Sequence, residues 1–272
     1  MSFGGLRVLS LESRRAAEMA QLIRKREGEP FVAPSMREAP LERNEGAFEF
    51  AERLFAGGFD MMILLTGVGT RLLDRVLATR YPAGRFAEAL RAITVVARGP
   101  KPSAVLREMG VPITIAVPEP NTWRELLAAT EGRPERRIAV QEYGKSNPEL
   151  TAGLEARGAE VTPVRVYEWD LPEDVAPLRE AARRVAAGEL DIALFTTSIQ
   201  VAHLFRVAAE AGLEDRVREA LSRMAIASIG PTTSEALEEF GLHADFEPSH
   251  PKMGLLVQET AERAADLVEK KR

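Results

Sequence analysis

Short apolar, β-branched runs recur along the chain, and between them apolar residues fall three or four positions apart. The short runs at 6–10, 30–34, 61–65, 93–97, 113–117, 137–141, 160–166, 192–195, 225–229 and 244–247 predict strands. The spaced patterns, at 13–26, 103–108, 176–187 and 234–240 among others, predict amphipathic helices. Strands alternating with helices from end to end predict parallel sheets with helices on both faces. The expected class is therefore α/β, in three layers.

The pattern also repeats. A shift of 131 carries Asp60 onto Asp191, Thr66 onto Thr197, Gly99-Pro100 onto Gly230-Pro231, Ser103 onto Ser234, Gly110 onto Gly241 and Pro120 onto Pro251. A shift of 130 carries Val8 onto Ile138 and Gly28 onto Gly158. A register held over most of the chain predicts an internal duplication, with a five-stranded unit written twice to give ten strands in two lobes. The segments 34–42 and 165–172 sit at equivalent places after the second strand of each half. Both are charged and contain Pro, and neither fits a helix face, so they read as extended linkers between lobes.

Composition narrows the chemistry. Apolar residues make up 45% of the 272 and charged residues 28%, an ordinary globular mixture with enough chain for two cores. Cys is absent, which excludes disulfides, thiolate nucleophiles, Cys–zinc centres and iron–sulfur clusters. The net charge of −5 argues against a nucleic-acid partner, which needs a basic field. The opening Met-Ser-Phe-Gly-Gly-Leu-Arg-Val lacks a leader's basic and apolar regions, and no apolar run nears the roughly 20 residues of a membrane span. The expected compartment is the cytoplasm, with no membrane contact.

Open parallel sheets bind ligands beyond the carboxyl ends of their strands. The loops expected there are Glu12-Ser13-Arg14, Thr66-Gly67-Val68-Gly69, Arg98-Gly99-Pro100-Lys101, Glu142-Tyr143-Gly144-Lys145, Thr196-Thr197-Ser198 and Gly230-Pro231-Thr232-Thr233. Each opens a predicted helix, whose first N–H groups favour anions. One Ser or Thr before a helix is an ordinary cap. The whole set, gathered around a cleft between two lobes, suits a ligand with several carboxylates or phosphates.

Other motifs dissolve on inspection. Gly67-Val68-Gly69 lacks the third Gly of a dinucleotide fingerprint, since Leu72 stands there. Gly144-Lys145-Ser146 resembles the end of a phosphate loop, but Ala139 occupies the first Gly position. His203, His243 and His250 lack metal-ligand spacing, and no metal is expected. Tyr167, beside Trp169 in the second linker, either packs against a lobe or faces the cleft as a proton donor.

Five segments, Leu64-Leu-Thr-Gly-Val-Gly-Thr-Arg71, Ala97-Arg-Gly-Pro-Lys-Pro102, Pro163-Val-Arg-Val-Tyr167, Phe195-Thr-Thr-Ser-Ile-Gln-Val201 and Ala227-Ser-Ile-Gly-Pro-Thr-Thr-Ser-Glu-Ala-Leu237, carry a family resemblance in their order and spacing. The chain resembles uroporphyrinogen-III synthases from Leu6 to Val268. The resemblance implies two parallel-sheet lobes joined by a two-strand linker, with the chain crossing over early. Residues 1–37 and 168–272 would form the first lobe and 38–167 the second.

The resemblance further implies a lyase of tetrapyrrole and heme biosynthesis. It would cyclise linear hydroxymethylbilane to uroporphyrinogen III, losing water and inverting ring D, as a monomer without cofactor. A transient contact with the enzyme that supplies this substrate would follow from the same resemblance. Matched to the family's motifs, Tyr167 would be the catalytic hinge tyrosine. Arg14, Thr66, Gly67, Arg98, Lys101, Lys145, Thr197, Ser198, Thr232 and Thr233 would hold the eight substrate carboxylates. Glu142-Tyr143-Gly144-Lys145 departs from the family's Arg-Gly pattern after the sixth strand, which weakens the case for Lys145. The rival readings are a two-lobed tetrapyrrole- or anion-binding sensor without chemistry, and an enzyme acting on a phosphorylated small molecule. Some relatives are fused to DNA-binding modules, and the ending Val268-Glu-Lys-Lys-Arg272 leaves no room for one, which disfavours the sensor.

Overall fold

The computed structural model describes residues 2–40, 44–142 and 146–271. Along the chain, β1 (Arg7–Ser10), α1 (Ala16–Lys25) and β2 (Glu29–Val32) are followed by β3 (Arg37–Pro40). A second run comprises α2 (Glu45–Phe55), β4 (Met61–Leu64), α3 (Gly67–Leu77), α4 (Arg85–Leu90), β5 (Thr94–Ala97), α5 (Pro100–Glu108), β6 (Ile115–Ala116), α6 (Trp123–Ala129), β7 (Arg137–Gln141), α7 (Pro148–Glu155) and β8 (Glu160–Val164). The remainder is β9 (Tyr167–Asp170), α8 (Ala176–Ala186), β10 (Ile192–Phe195), α9 (Ser198–Glu210), α10 (Glu214–Arg223), β11 (Ala225–Ser228), α11 (Pro231–Glu238) and α12 (Met253–Glu269). The chain divides into two compact units, Met1–Arg37 with Asp170–Arg272, and Glu38–Trp169.

The first unit holds a four-stranded parallel sheet in the order β11-β10-β1-β2, with Val8 opposite Ile192 and Ile192 opposite Ala225. Successive side chains leave a strand on opposite faces. Leu9, Ala193, Phe195 and Ile226 accordingly meet α8 to α11, through Leu178, Leu204, Leu221 and Leu237. Val8, Ile192, Leu194 and Ala225 meet α1 and α12, through Met19, Ile23, Leu256 and Leu267. Strands buried on both faces must be apolar throughout, and that requirement is why the runs were legible.

The second unit is built the same way around a five-stranded parallel sheet, β6-β5-β4-β7-β8. Met62, Leu64, Val95 and Ala97 pack with Phe50, Leu73, Phe86 and Leu106 of α2 to α5. Met61, Ile63, Val96 and Ile138 pack with Leu126 of α6 and with Leu150 and Leu154 of α7. The expected three-layer α/β class with parallel sheets is what the chain forms.

One detail differs from the expectation. Segment 244–247 is not a fifth strand of the first unit's sheet; it makes one parallel bridge, Phe246 to Ala227. Asp245 explains why, because its carboxylate takes the Ile226 N–H (2.8 Å) that a strand carbonyl would have taken. The two segments read as linkers contain strands, β3 and β9, which pair as a separate two-stranded sheet, the two-strand linker that the resemblance implies. The chain passes between units inside these strands, at 37/38 and 169/170. Among the described residues no helix is long and apolar enough to cross a membrane.

Candidate functional site

In the second unit, the carboxyl ends of β4, β5 and β7 bring three loops together. Thr66 follows β4 in extended conformation and caps α3, its hydroxyl accepting the Gly69 N–H at 3.0 Å. The Thr66 N–H donates to Gln141 Oε1 (3.2 Å), a side chain at the end of β7 with no exposed surface. The Thr66 carbonyl accepts both the N–H (3.0 Å) and the hydroxyl (2.7 Å) of Thr70. The amides of Gly67 and Val68 have no acceptor among the described residues, so they are the open donors of the helix terminus.

Glycine is required here by close approach. A Cβ on Gly67 would stand 2.8 Å from the Lys101 carbonyl oxygen, and one on Gly69 would overlap the Gln141 amide. The loop after β5 therefore lies directly against the start of α3. That loop carries Arg98, half-buried, and Lys101, exposed at the first turn of α5. Gly99 precedes it at φ +85°, a conformation that favours Gly, and a Cβ there would meet Asn121 Oδ1 at 2.7 Å. Beyond β7, the Glu142 carboxylate is 5% exposed and holds Arg165 in an ion pair of 2.8 Å; Arg165 also reaches Ser146 Oγ at 3.0 Å. Lys145 lies outside the described residues.

Tyr167 also belongs to this unit. It is fully buried in the core of the second unit, with its ring edge-on to Trp169 (centroids 5.4 Å apart). Its hydroxyl lies 3.2 Å from Thr66 Oγ1. Of the two readings open from the sequence, the ring's surroundings are those of packing against a lobe. The ring sits where an aromatic residue gains most from burial, and its polar tip has found a partner inside the protein.

The corresponding edge of the first unit gathers Arg14, Thr197, Ser198, Thr232 and Thr233. Arg14 is exposed in the loop after β1. Thr196 lies at the end of β10, its hydroxyl donating to Glu12 Oε2 at 2.6 Å and its N–H to Gln200 Oε1 at 2.8 Å. Thr197 occupies the cap of α9, extended and without a side-chain cap bond, and Ser198 begins the helix nearly buried. After β11, Ser228 binds Gly230 and Ser234, and Ser234 also bonds Glu247. Of the paired threonines, Thr232 keeps exposed surface and Thr233 is 3% exposed.

His203 is structural. Its Nδ1 sits 2.7 Å from the Ser35 carbonyl, and burial, helped by the Arg206 charge, pushes its pKa below the usual value. Among the described residues no group of three or more His, Asp or Glu side chains converges as a metal site would.

Comparison with known proteins places the chain in a family. The family model described as uroporphyrinogen-III synthase HemD matches residues 17–258. The chain belongs to the uroporphyrinogen-III synthase family. It is 31% identical over 261 residues to an uncharacterised protein of Bacillus subtilis strain 168, covering 94% of this chain and 95% of that one. A Methanothermobacter thermautotrophicus chain, named provisionally for the same family, is 32% identical over 233 residues, covering 85% and 87%. Among solved structures, a mutant uroporphyrinogen III synthase from Thermus thermophilus superposes with a TM-score of 0.73 at 26% identity, covering 96% of this chain and 99% of that one. These synthases share the sheets and layers described above.

Sequence reasoning missed three members of the edges. Gln141 closes an otherwise apolar strand, Arg137-Ile-Ala-Val-Gln141, and a polar residue in such a run signals a buried hydrogen-bonding duty. Gln200 stands four residues after Thr196, one helical turn on, where its amide reaches back to the strand end. Arg165 gave no signal, because its partner Glu142 is 23 positions away.

Proposed function

We propose that this chain is a uroporphyrinogen-III synthase, which closes linear hydroxymethylbilane to uroporphyrinogen III with loss of water and inversion of ring D. Family membership carries the reading, and the donor-rich strand ends support it. The substrate bears eight carboxylates. The amides of Gly67 and Val68, with Arg98 and Lys101, are the carboxylate partners in the second unit. Arg14, Thr197, Ser198, Thr232 and Thr233 are the partners in the first. Lys145 is assigned to the same task by its place after β7.

The chemistry asks little of the protein and the geometry asks much. Departure of the substrate's hydroxyl is assisted by the electron-rich pyrrole to which its carbon is attached. The flexible chain then closes unaided, but at the free position of the last ring. The protein must present the substituted carbon instead. Holding both ends of the chain supplies orientation, for which effective molarities reach about 10⁵ M or more. Neither step calls for a metal, a thiolate or a redox cofactor, and one chain suffices.

The test is incubation with enzymatically generated hydroxymethylbilane, then oxidation and chromatographic separation of the isomers. The type III isomer is expected to dominate. A product ratio equal to the protein-free control, with type I in excess, would reject the enzyme and leave a binding protein.

A further inference from the structure

We propose that Tyr167 is a positioning residue, acting on bound substrate through Thr66 by fixing the hydroxyl that caps α3. The inference rests on the functional reading above and concerns how its carboxylate site is built. Three observations converge on it.

The first is burial. The Tyr167 side chain has no exposed surface and belongs to the core cluster that includes Phe86, Leu73 and Val166. To hand a proton to a substrate, the ring would have to leave that core. The second is the hydroxyl's partner, Thr66 Oγ1 at 3.2 Å. The third is that the other polar atoms of Thr66 are held too. Its N–H is bound by Gln141, its carbonyl by Thr70, and its hydroxyl oxygen by the Gly69 N–H.

A hydroxyl that accepts from Gly69 keeps one lone pair and one proton free. Tyr167 engages one of these, whichever oxygen is the donor, and so selects a single Thr66 rotamer. The Gln141 amide lies so close to Gly69 that a Cβ there would overlap it. The result is a helix start whose two open amides, Gly67 and Val68, point in a fixed direction before any ligand arrives. Preorganised donors cost nothing to align when an anion binds.

The two roles for the phenol predict different kinetics. A neutral hydrogen bond that steadies a binding element is worth about 3- to 10-fold in affinity. A general acid is worth about 10²- to 10⁴-fold in turnover. In Tyr167→Phe the positioning role therefore gives a KM raised about 3- to 10-fold, a kcat within a factor of about two, and a pH profile of kcat with unchanged limbs. In a Thr66→Val background the same change should add nothing further. In Thr66→Ser, which keeps the hydroxyl, it should again raise KM. Near-ultraviolet circular dichroism establishes that each variant is folded.

A kcat loss of about 100-fold or more at unaltered KM, equal with and without the Thr66→Val change, would overturn the proposal in favour of a proton donor. Failure of the functional reading looks different, because the wild-type protein would then form no excess of type III isomer. In that case the same double-mutant cycle is read on the dissociation constant for uroporphyrin III, followed by fluorescence. Non-additive weakening supports the positioning role, and additive or absent effects reject it.

Discussion

A carboxylate at each sheet's opposite end shows what single residues contribute. Asp60 precedes β4 and takes the Arg137 guanidinium together with the Arg137 N–H at 2.9 Å. Asp191 precedes β10 and holds Arg7 in the same manner, through its N–H and guanidinium at 2.8 Å. Bonds from Arg137 hold the Asp60 pKa down to about 2. A carboxyl whose pKa is lower in the folded chain stabilises it above the unfolded value of about 3.9, and that contribution fades as pH falls toward 2. Asp60→Asn should thus cost about 1 kcal/mol at pH 7, a figure already reduced for solvent screening of a partly exposed pair. Melting temperatures of the two proteins should differ equally at pH 7 and 5, and by about half as much at pH 3. A gap independent of pH would mean that the amide's shape, not the charge, sets the difference. The Asp60–Asp191 correspondence was legible in sequence, since both precede an apolar run. The arginine partners were not, because Arg137 is 77 positions from Asp60 and Arg7 is 184 from Asp191.

Among elements, the central strands were the clearest, because burial on both faces leaves no room for polar residues. Runs 137–141 and 192–195 coincide with β7 and β10. The margins were less readable for a local reason. At one sheet edge Thr114 Oγ1 takes the Val95 N–H (3.2 Å), and at the other Asp245 takes that of Ile226 (2.8 Å). A side chain that intercepts a ladder bond shortens the strand, so β6 keeps two residues and 244–247 keeps one bridge. The pairing of β3 with β9 was implied by the family resemblance and not by the residues themselves, since extended linkers and paired strands share a composition. A two-stranded ladder is marginal by itself. Amides of residues 37–39 and 168–170 should therefore exchange with solvent at least about 100-fold faster than those of Leu9, Leu194 and Ile63 in the sheet centres. Equal protection would show that the ladder opens only with global unfolding.

For the molecule as a whole, the four core clusters assort cleanly. Two contain only residues of Met1–Arg37 and Asp170–Arg272, and two only residues of Glu38–Trp169. Each unit thus carries a sheet with both faces covered by its own helices, which is what an autonomous domain requires. The second unit is one continuous segment, and residues 38–169 expressed alone should melt cooperatively with α/β circular dichroism. The first is interrupted, but its cut ends are tied. Arg37 donates to the Asp170 carboxylate at 2.9 Å and to the Leu171 carbonyl at 3.1 Å. A short Gly-Ser bridge from Arg37 to Asp170 should therefore close the first unit into a single folded chain, since a loop of a few residues adds little closure entropy. The fragment carrying Thr66 and Tyr167 should retain that hydrogen bond, because Gln141, Gly69 and the surrounding core all travel with it. Its Tyr167→Phe variant should then melt a few degrees lower, as loss of one buried hydrogen bond of about 1 kcal/mol requires in a domain of this size. A fragment that stays unfolded would show that the stability of the second unit is borrowed from the rest of the chain, despite a core it does not share.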